Sequence, residues 1–292
     1  MTTTTAAYLQ VENNLSRYQT MTADEPAVKT ASAYYAANIG KVASISDFVG
    51  NYRLLSFALD AYGLGDQINS KALITQVLQG GVSNPKSLAN TLNDSRWRAF
   101  AQAFNFAGAG AASISTSSAI QTTTNNYVEQ QMESDQGGQD PGVQLALYFR
   151  RVAPTVTNAY GILADKNLLE VVQTIFGISP HASASNIDQQ AAQISKVLPI
   201  SELQDPKKVQ QLVERFTAMY DLDYGPTSGA TPLTVAGGNS PPSAAGLAAS
   251  SILSGVITTN GQSISQALNG NSPTPLFSNS FLQTLQSFKL GG

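Results

Sequence analysis

Few side chains in this sequence are of the types that usually carry reactions. His181 is the sole histidine in 292 residues. An imidazole can move a proton or ligate a metal. His181, however, stands beside Pro180 with no carboxylate at a metal-ligand spacing, and a solvated or structural role is expected. Glu129 and Glu133 lie one helical turn apart, with Asp135 close by. A carboxylate metal site between helices would add a Glu-x-x-His; none accompanies them, and they read as a solvated acidic face. Ser83-Asn-Pro-Lys86 has the spacing of a serine nucleophile and its lysine, without the Ser-Asp-Asn and Lys-Thr-Gly segments that complete such a site. Gly63-Leu-Gly65 and Gly108-Ala-Gly110 lack both a preceding strand and the Lys-Ser/Thr of a phosphate loop. With no cysteine, disulfides, thiolate chemistry and cysteine metal sites are excluded. No catalytic, metal or cofactor-binding residue is assigned, and no cofactor is expected.

Charged residues make up 12% of the chain, about half the usual share, and the net charge is −3. Nucleic-acid binding requires a concentrated basic footprint. The basic clusters are Arg96 with Arg98, Arg150-Arg151 and Lys207-Lys208; they read as helix-surface charge. No segment approaches the roughly 20 continuous apolar residues that span a bilayer. The start, Met-Thr-Thr-Thr-Thr-Ala-Ala, has neither the basic patch nor the apolar run of a secretory signal. A soluble protein is expected, with any export independent of a cleaved signal.

The remaining sequence is mostly helical pattern. Residues 39–66 organise it: Ser44-x-x-Asp47 is a capping-box start, and Leu54, Ala58, Ala61 and Tyr62 fall on one face. Gly63 stands where a left-handed residue would close the helix. A second copy runs from Gly161 to Ile178, pairing Leu54 with Leu168, Leu55 with Leu169, Tyr62 with Phe176 and Gly63 with Gly177. Asp94 and Asp205-Pro206 begin two further related helices, matching Phe100 with Leu212 and Phe104 with Phe216. Other helices are expected from about Thr22 to Gly40, before Gly80-Gly81, from Asn84-Pro85 to Leu92, from Asp140-Pro141 to Pro154, and around Ile187–Leu198. Trp97 reads as a core aromatic.

The expected architecture is all-α, with two related helical halves at 6–106 and 125–223. Residues 107–124, uncharged and rich in Gly, Ala, Ser and Thr, read as the linker between them. Residues 224–292 form a Ser/Gly/Ala/Thr-rich tail with little charge, weakly ordered or dependent on a partner, with a short amphipathic helix near 276–289. Tyr8, Val11, Leu15 and Tyr18 form an apolar seam at the front of the chain, and Phe277, Phe281, Leu285 and Phe288 another at the end. These eight are the candidate interaction surfaces. The alternative is that both seams pack on the core.

Several separated motifs resemble one family. They are Asn38-Ile-Gly-Lys-Val-Ala-Ser-Ile-Ser-Asp-Phe-Val, Leu55-Ser-Phe-Ala-Leu-Asp-Ala-Tyr-Gly-Leu, Leu145-Ala-Leu-Tyr-Phe-Arg-Arg, Ala159-Tyr-Gly-Ile-Leu-Ala-Asp-Lys and Asp205-Pro-Lys-Lys…Arg215-Phe-Thr-Ala-Met-Tyr-Asp. In that order they resemble the domain-of-unknown-function 1217 family of alphaproteobacteria, whose genes often lie among flagellar genes. The resemblance spans about Tyr8 to Asp223 and brings no catalytic residues. It implies the flagellar system, and the lack of active-site chemistry implies a non-enzymatic role: a structural or assembly protein of the flagellum or its basal body is expected, partnered by flagellar proteins or by itself. A cytoplasmic adaptor or export-related factor of the same system is one alternative; an enzyme with an unrecognised site is another.

Overall fold

The first N–H groups of a helix have no partner within it, and short polar side chains at the N-cap supply one. Ser44, Asn51, Asp94, Thr116, Asp140, Asn158 and Asp165 all do so here, each accepting from a backbone N–H two or three residues on. A computed structural model describes residues 2–179 and 186–224. Those residues contain fifteen α-helices and no strand, so the protein is all-α.

The helices bury their apolar stripes in two clusters. The first lies among α3 (Pro26–Asn38), α4 (Ile45–Gly50), α5 (Tyr52–Ala61), α6 (Lys71–Gly80), α7 (Leu88–Thr91), α8 (Ser95–Ala103) and α9 (Phe106–Ala109). Phe48 stacks on Phe104 and Tyr35 on Phe57, at centroid separations of 4.9 and 4.5 Å. Trp97 is buried in this core, as its spacing predicts. The second cluster lies among α1 (Thr4–Glu12), α11 (Pro141–Val152), α12 (Ala159–Ala164), α13 (Lys166–Phe176), α14 (Ile187–Val197) and α15 (Pro206–Tyr224). Burying each large side chain contributes roughly 1.5–3 kcal/mol before chain entropy is set against it. The 21-residue α10 (Ser117–Gly137) serves both cores: Ile120 and Tyr127 pack on the first, Met132 in the second.

The same succession of elements occurs twice in the chain. A helix leads through the 3₁₀ turn Ile39–Lys41 or Ala153–Thr155 to an extended, buried valine, Val42 or Val156. A six-residue helix follows, capped by Ser44 or Asn158, and then a longer one capped by Asn51 or Asp165. That helix is followed by glycine with positive φ, 69° at Gly63 and 62° at Gly177. The correspondence is one of element order, cap chemistry and backbone conformation.

Elsewhere local chemistry shifts the expected boundaries. The front seam is two helices, because Asn13 and Asn14 separate α1 from α2 (Leu15–Asp24) and Asn14 turns its amide back to the Gln10 carbonyl. Thr22 is not a cap; α2 runs through it to Asp24, and α3 starts with Pro26 at its first position. Asn84-Pro85 forms a turn in which Asn84 Oδ1 accepts from Lys86 N, and α7 begins only at Leu88. Residues 107–124 are not a loop: they hold the end of α9, the 3₁₀ helix Ala111–Ser115 and two turns of α10. Thr116 caps α10 and Ile114 is buried, so a polar composition conceals helix there. The front half also loses α1, whose Tyr8 and Val11 join the second core. The tail beyond Tyr224 and its expected helix near 276–289 lie outside the described residues.

Gly177 has open space around its missing Cβ, whereas a Cβ on Gly63 would lie 3.3 Å from Gln130 Nε2. Gly177→Ala is therefore expected to cost about 1 kcal/mol, the strain of a left-handed L-residue. Gly63→Val should cost more. Urea unfolding measures both, and wild-type stability in either variant would contradict the assignment.

Candidate interaction surface and the charged seam

The buried charges of the described protein gather where the two cores meet. Asp94 caps α8, and both its oxygens accept from the Arg96 side chain. Arg96 also donates to the Gly63 carbonyl at 2.8 Å, fastening the end of α5 to the start of α8. From there its Nε lies 3.5 Å from Asp165 of the second half. One oxygen of Asp165 caps α13, and the other accepts from the Tyr148 hydroxyl. Ser95 and Thr155 hydroxyls at 2.8 Å, and the Asn93 and Asn158 amides, continue the contact between halves. Burial lowers the affinity of the Arg96 guanidinium for its proton. The Asp94 hydrogen bond and the Asp165 and Asp94 carboxylates more than reverse this, so its pKa is raised. Burial beside the Asp165 charge pushes Tyr148 upward.

A second tie lies between α10 and α11. Arg151 holds both oxygens of Glu133, at 2.7 and 2.9 Å, and Glu133 is 2% exposed. Burial pushes the Glu133 carboxyl up against the pull of Arg151. Burial works against the Arg151 charge, but Glu133 outweighs it. Arg150 pairs with Glu12 at 2.6 Å, joining α11 to α1. Glu133 is therefore internal, and Arg96, Arg150 and Arg151 are half-buried in ion pairs, not the solvated surface charges their sequence context suggests. Glu133 in particular belongs to no solvated acidic face. Arg98, Lys207 and Lys208 do face solvent. The distant partners of Arg96, Arg150 and Arg151 are not legible in the sequence; the neighbouring Asp and Asn caps are the available signal.

Of the front seam, Tyr8 and Val11 are buried in the second core, and Leu15 and Tyr18 are partly buried against it. The Tyr8 hydroxyl donates to Gln210 at 3.2 Å, and burial pushes its pKa up to about 12. These four side chains are thus occupied within the chain. Phe277, Phe281, Leu285 and Phe288, like His181, lie outside the described residues. The start of α1 is held by Asp221 of α15, which accepts from Thr4 N, Thr5 N and Thr5 Oγ1. Open clefts of about 500 and 620 Å³ flank the end of α15, with Tyr224 lining both. In the smaller, Asp140 and Asp221 are already used as helix caps.

Among the described residues no group of three or more His, Asp or Glu is placed to hold a metal. No described helix is long and apolar enough to cross a membrane.

Residues 61–209 match the family model described as Protein of unknown function (DUF1217). A crystal structure of a protein from Agrobacterium tumefaciens is similar, with 38% identity and a TM-score of 0.68, over 75% of this chain and 93% of its own. No curated protein matches the chain.

Asp221 has a lowered pKa: burial raises it, and the hydrogen bonds from Thr5 and Thr4 outweigh that. A depressed carboxyl pKa adds stability above the unfolded value, and that stability is lost as pH falls through the folded value. Asp221→Asn should speed amide exchange in α1 at neutral pH, and its deficit should vanish once acid protonates the native carboxyl. A deficit that persists at that pH would contradict the cap.

Proposed function

We propose that this chain, which belongs to the DUF1217 family of proteins of unknown function, is a non-enzymatic structural or assembly protein of the bacterial flagellum. It acts through helical protein–protein contacts. One observation supports the non-enzymatic reading. The buried charged side chains, where catalysis is usually sought, are engaged in helix caps and ion pairs between the cores. The flagellar part rests on the motifs from Asn38 to Asp221 and the gene setting that their resemblance implies.

Fractionation tests the proposal. In the host, the protein is expected in purified filament, hook or basal-body material, and its deletion should impair motility. Recovery solely in the cytosol would favour an adaptor or export-related factor instead. His181→Ala and Glu129→Gln should leave motility unchanged. Loss of motility at normal abundance and location would point to chemistry at those residues.

A further inference from the structure

A cleft of about 150 Å³ opens on the outside of the first core, where α5 lies between α3 and α10. Arg53, Ser56 and Asp60 follow one another at three- and four-residue spacing, so they form a stripe along α5 two turns long, about 10 Å. Tyr34 of α3 and Tyr127 of α10 form the walls, and Tyr52 stands at the rim, 65% exposed. The Arg53 guanidinium lies 3.6 Å from the Tyr34 ring centroid.

The charges here behave unlike those of the seam. Among the described residues, neither Arg53 nor Asp60 has an ion-pair partner, and they do not pair with each other. Asp60 accepts one hydrogen bond, from Ser56 Oγ at 3.3 Å. Burial nevertheless raises its pKa, with Ser56 opposing. A partly desolvated carboxylate without a cation stands to gain from an incoming one. The Tyr34 ring is already covered by Arg53 and the Tyr127 ring stacks on Phe57, so Asp60 is the group left to meet that cation.

We propose that this cleft docks a helix of another protein, which sets a lysine or arginine against Asp60 and a carboxylate two turns away against Arg53. The cleft volume suits one inserted side chain. Charge pairs of opposite order at this spacing fix the direction in which the partner helix lies. Tyrosine and arginine are also the residue types that dominate interface energetics. This deepens the assembly role proposed above and rests on it only for the identity of the partner.

The test uses full-length protein in the host, with a photo-crosslinking amino acid in place of Tyr52 and, as a control, in place of exposed Lys29 on α3. Position 52 is expected to yield an adduct with another protein, through a segment carrying a basic and an acidic residue seven apart. Asp60→Asn and, separately, Arg53→Gln should cut its yield at least tenfold at unchanged thermal midpoint. Reversing Asp60 to Lys together with the partner's basic residue to Asp should restore it. No adduct, an adduct solely with a second copy, or a yield indifferent to both variants would overturn the docking site. A non-flagellar partner would leave the docking site standing and remove the flagellar assignment. Recovery in flagella without an adduct would do the reverse.

Discussion

The Asp165 carboxylate stands at the meeting of the two cores, with each oxygen committed to a different task. One holds the exposed N–H groups at the start of α13; the other takes the Tyr148 hydroxyl and faces Arg96. Arg96 in turn is held by Asp94 and reaches the Gly63 carbonyl. Moving such charges out of water costs several kcal/mol each, and the attraction between them repays that only when the geometry is fully satisfied. The seam is therefore weak as a source of net stability and strong as a constraint. Removing one member would strand the others at a cost of about 3–5 kcal/mol. The halves meet in the arrangement that keeps all of them paired.

This constraint explains why α10 can serve both cores. Its Tyr127 stacks on Phe57 at 4.1 Å in the first, while Glu133, six residues on, is locked to Arg151 beside the second. Hydrophobic contact alone would tolerate sliding of one cluster over the other, since it has no direction. The bidentate Arg151–Glu133 pair does have direction, because a planar guanidinium matches a carboxylate in few orientations. The internal charges thus fix the body, leaving Arg53 and Asp60 on its outer surface to face a partner.

Much of this was legible in the sequence. Ser44, Asp94, Asp140 and Asp205 mark helix starts because cap chemistry is local, and Gly63 and Gly177 mark ends for the same reason. The all-α class followed from the spacing of apolar residues. The pairing of charges did not, since Arg96 and Asp165 are 69 positions apart and nothing local to either names the other. Arg150-Arg151 looked like surface charge because helical periodicity places residues on a face without saying what covers it. The polar run before Thr124 concealed a helix for a related reason: its burial comes from Ile114, Ile120 and the polar Thr123, too few apolar residues to make a pattern. Tyr8 and Val11 were visible as a seam, but their partner was α15, some 200 residues away.

Calorimetry of Arg96→Met tests the seam most directly. The native protein should unfold in one transition, because the paired charges make each core's arrangement depend on the other. Arg96→Met leaves Asp94 and Asp165 without their shared cation, and two separate transitions should appear, one for each core. A single transition at the native midpoint in this variant would show that apolar contact alone holds the cores together, and would contradict the role given to the charges.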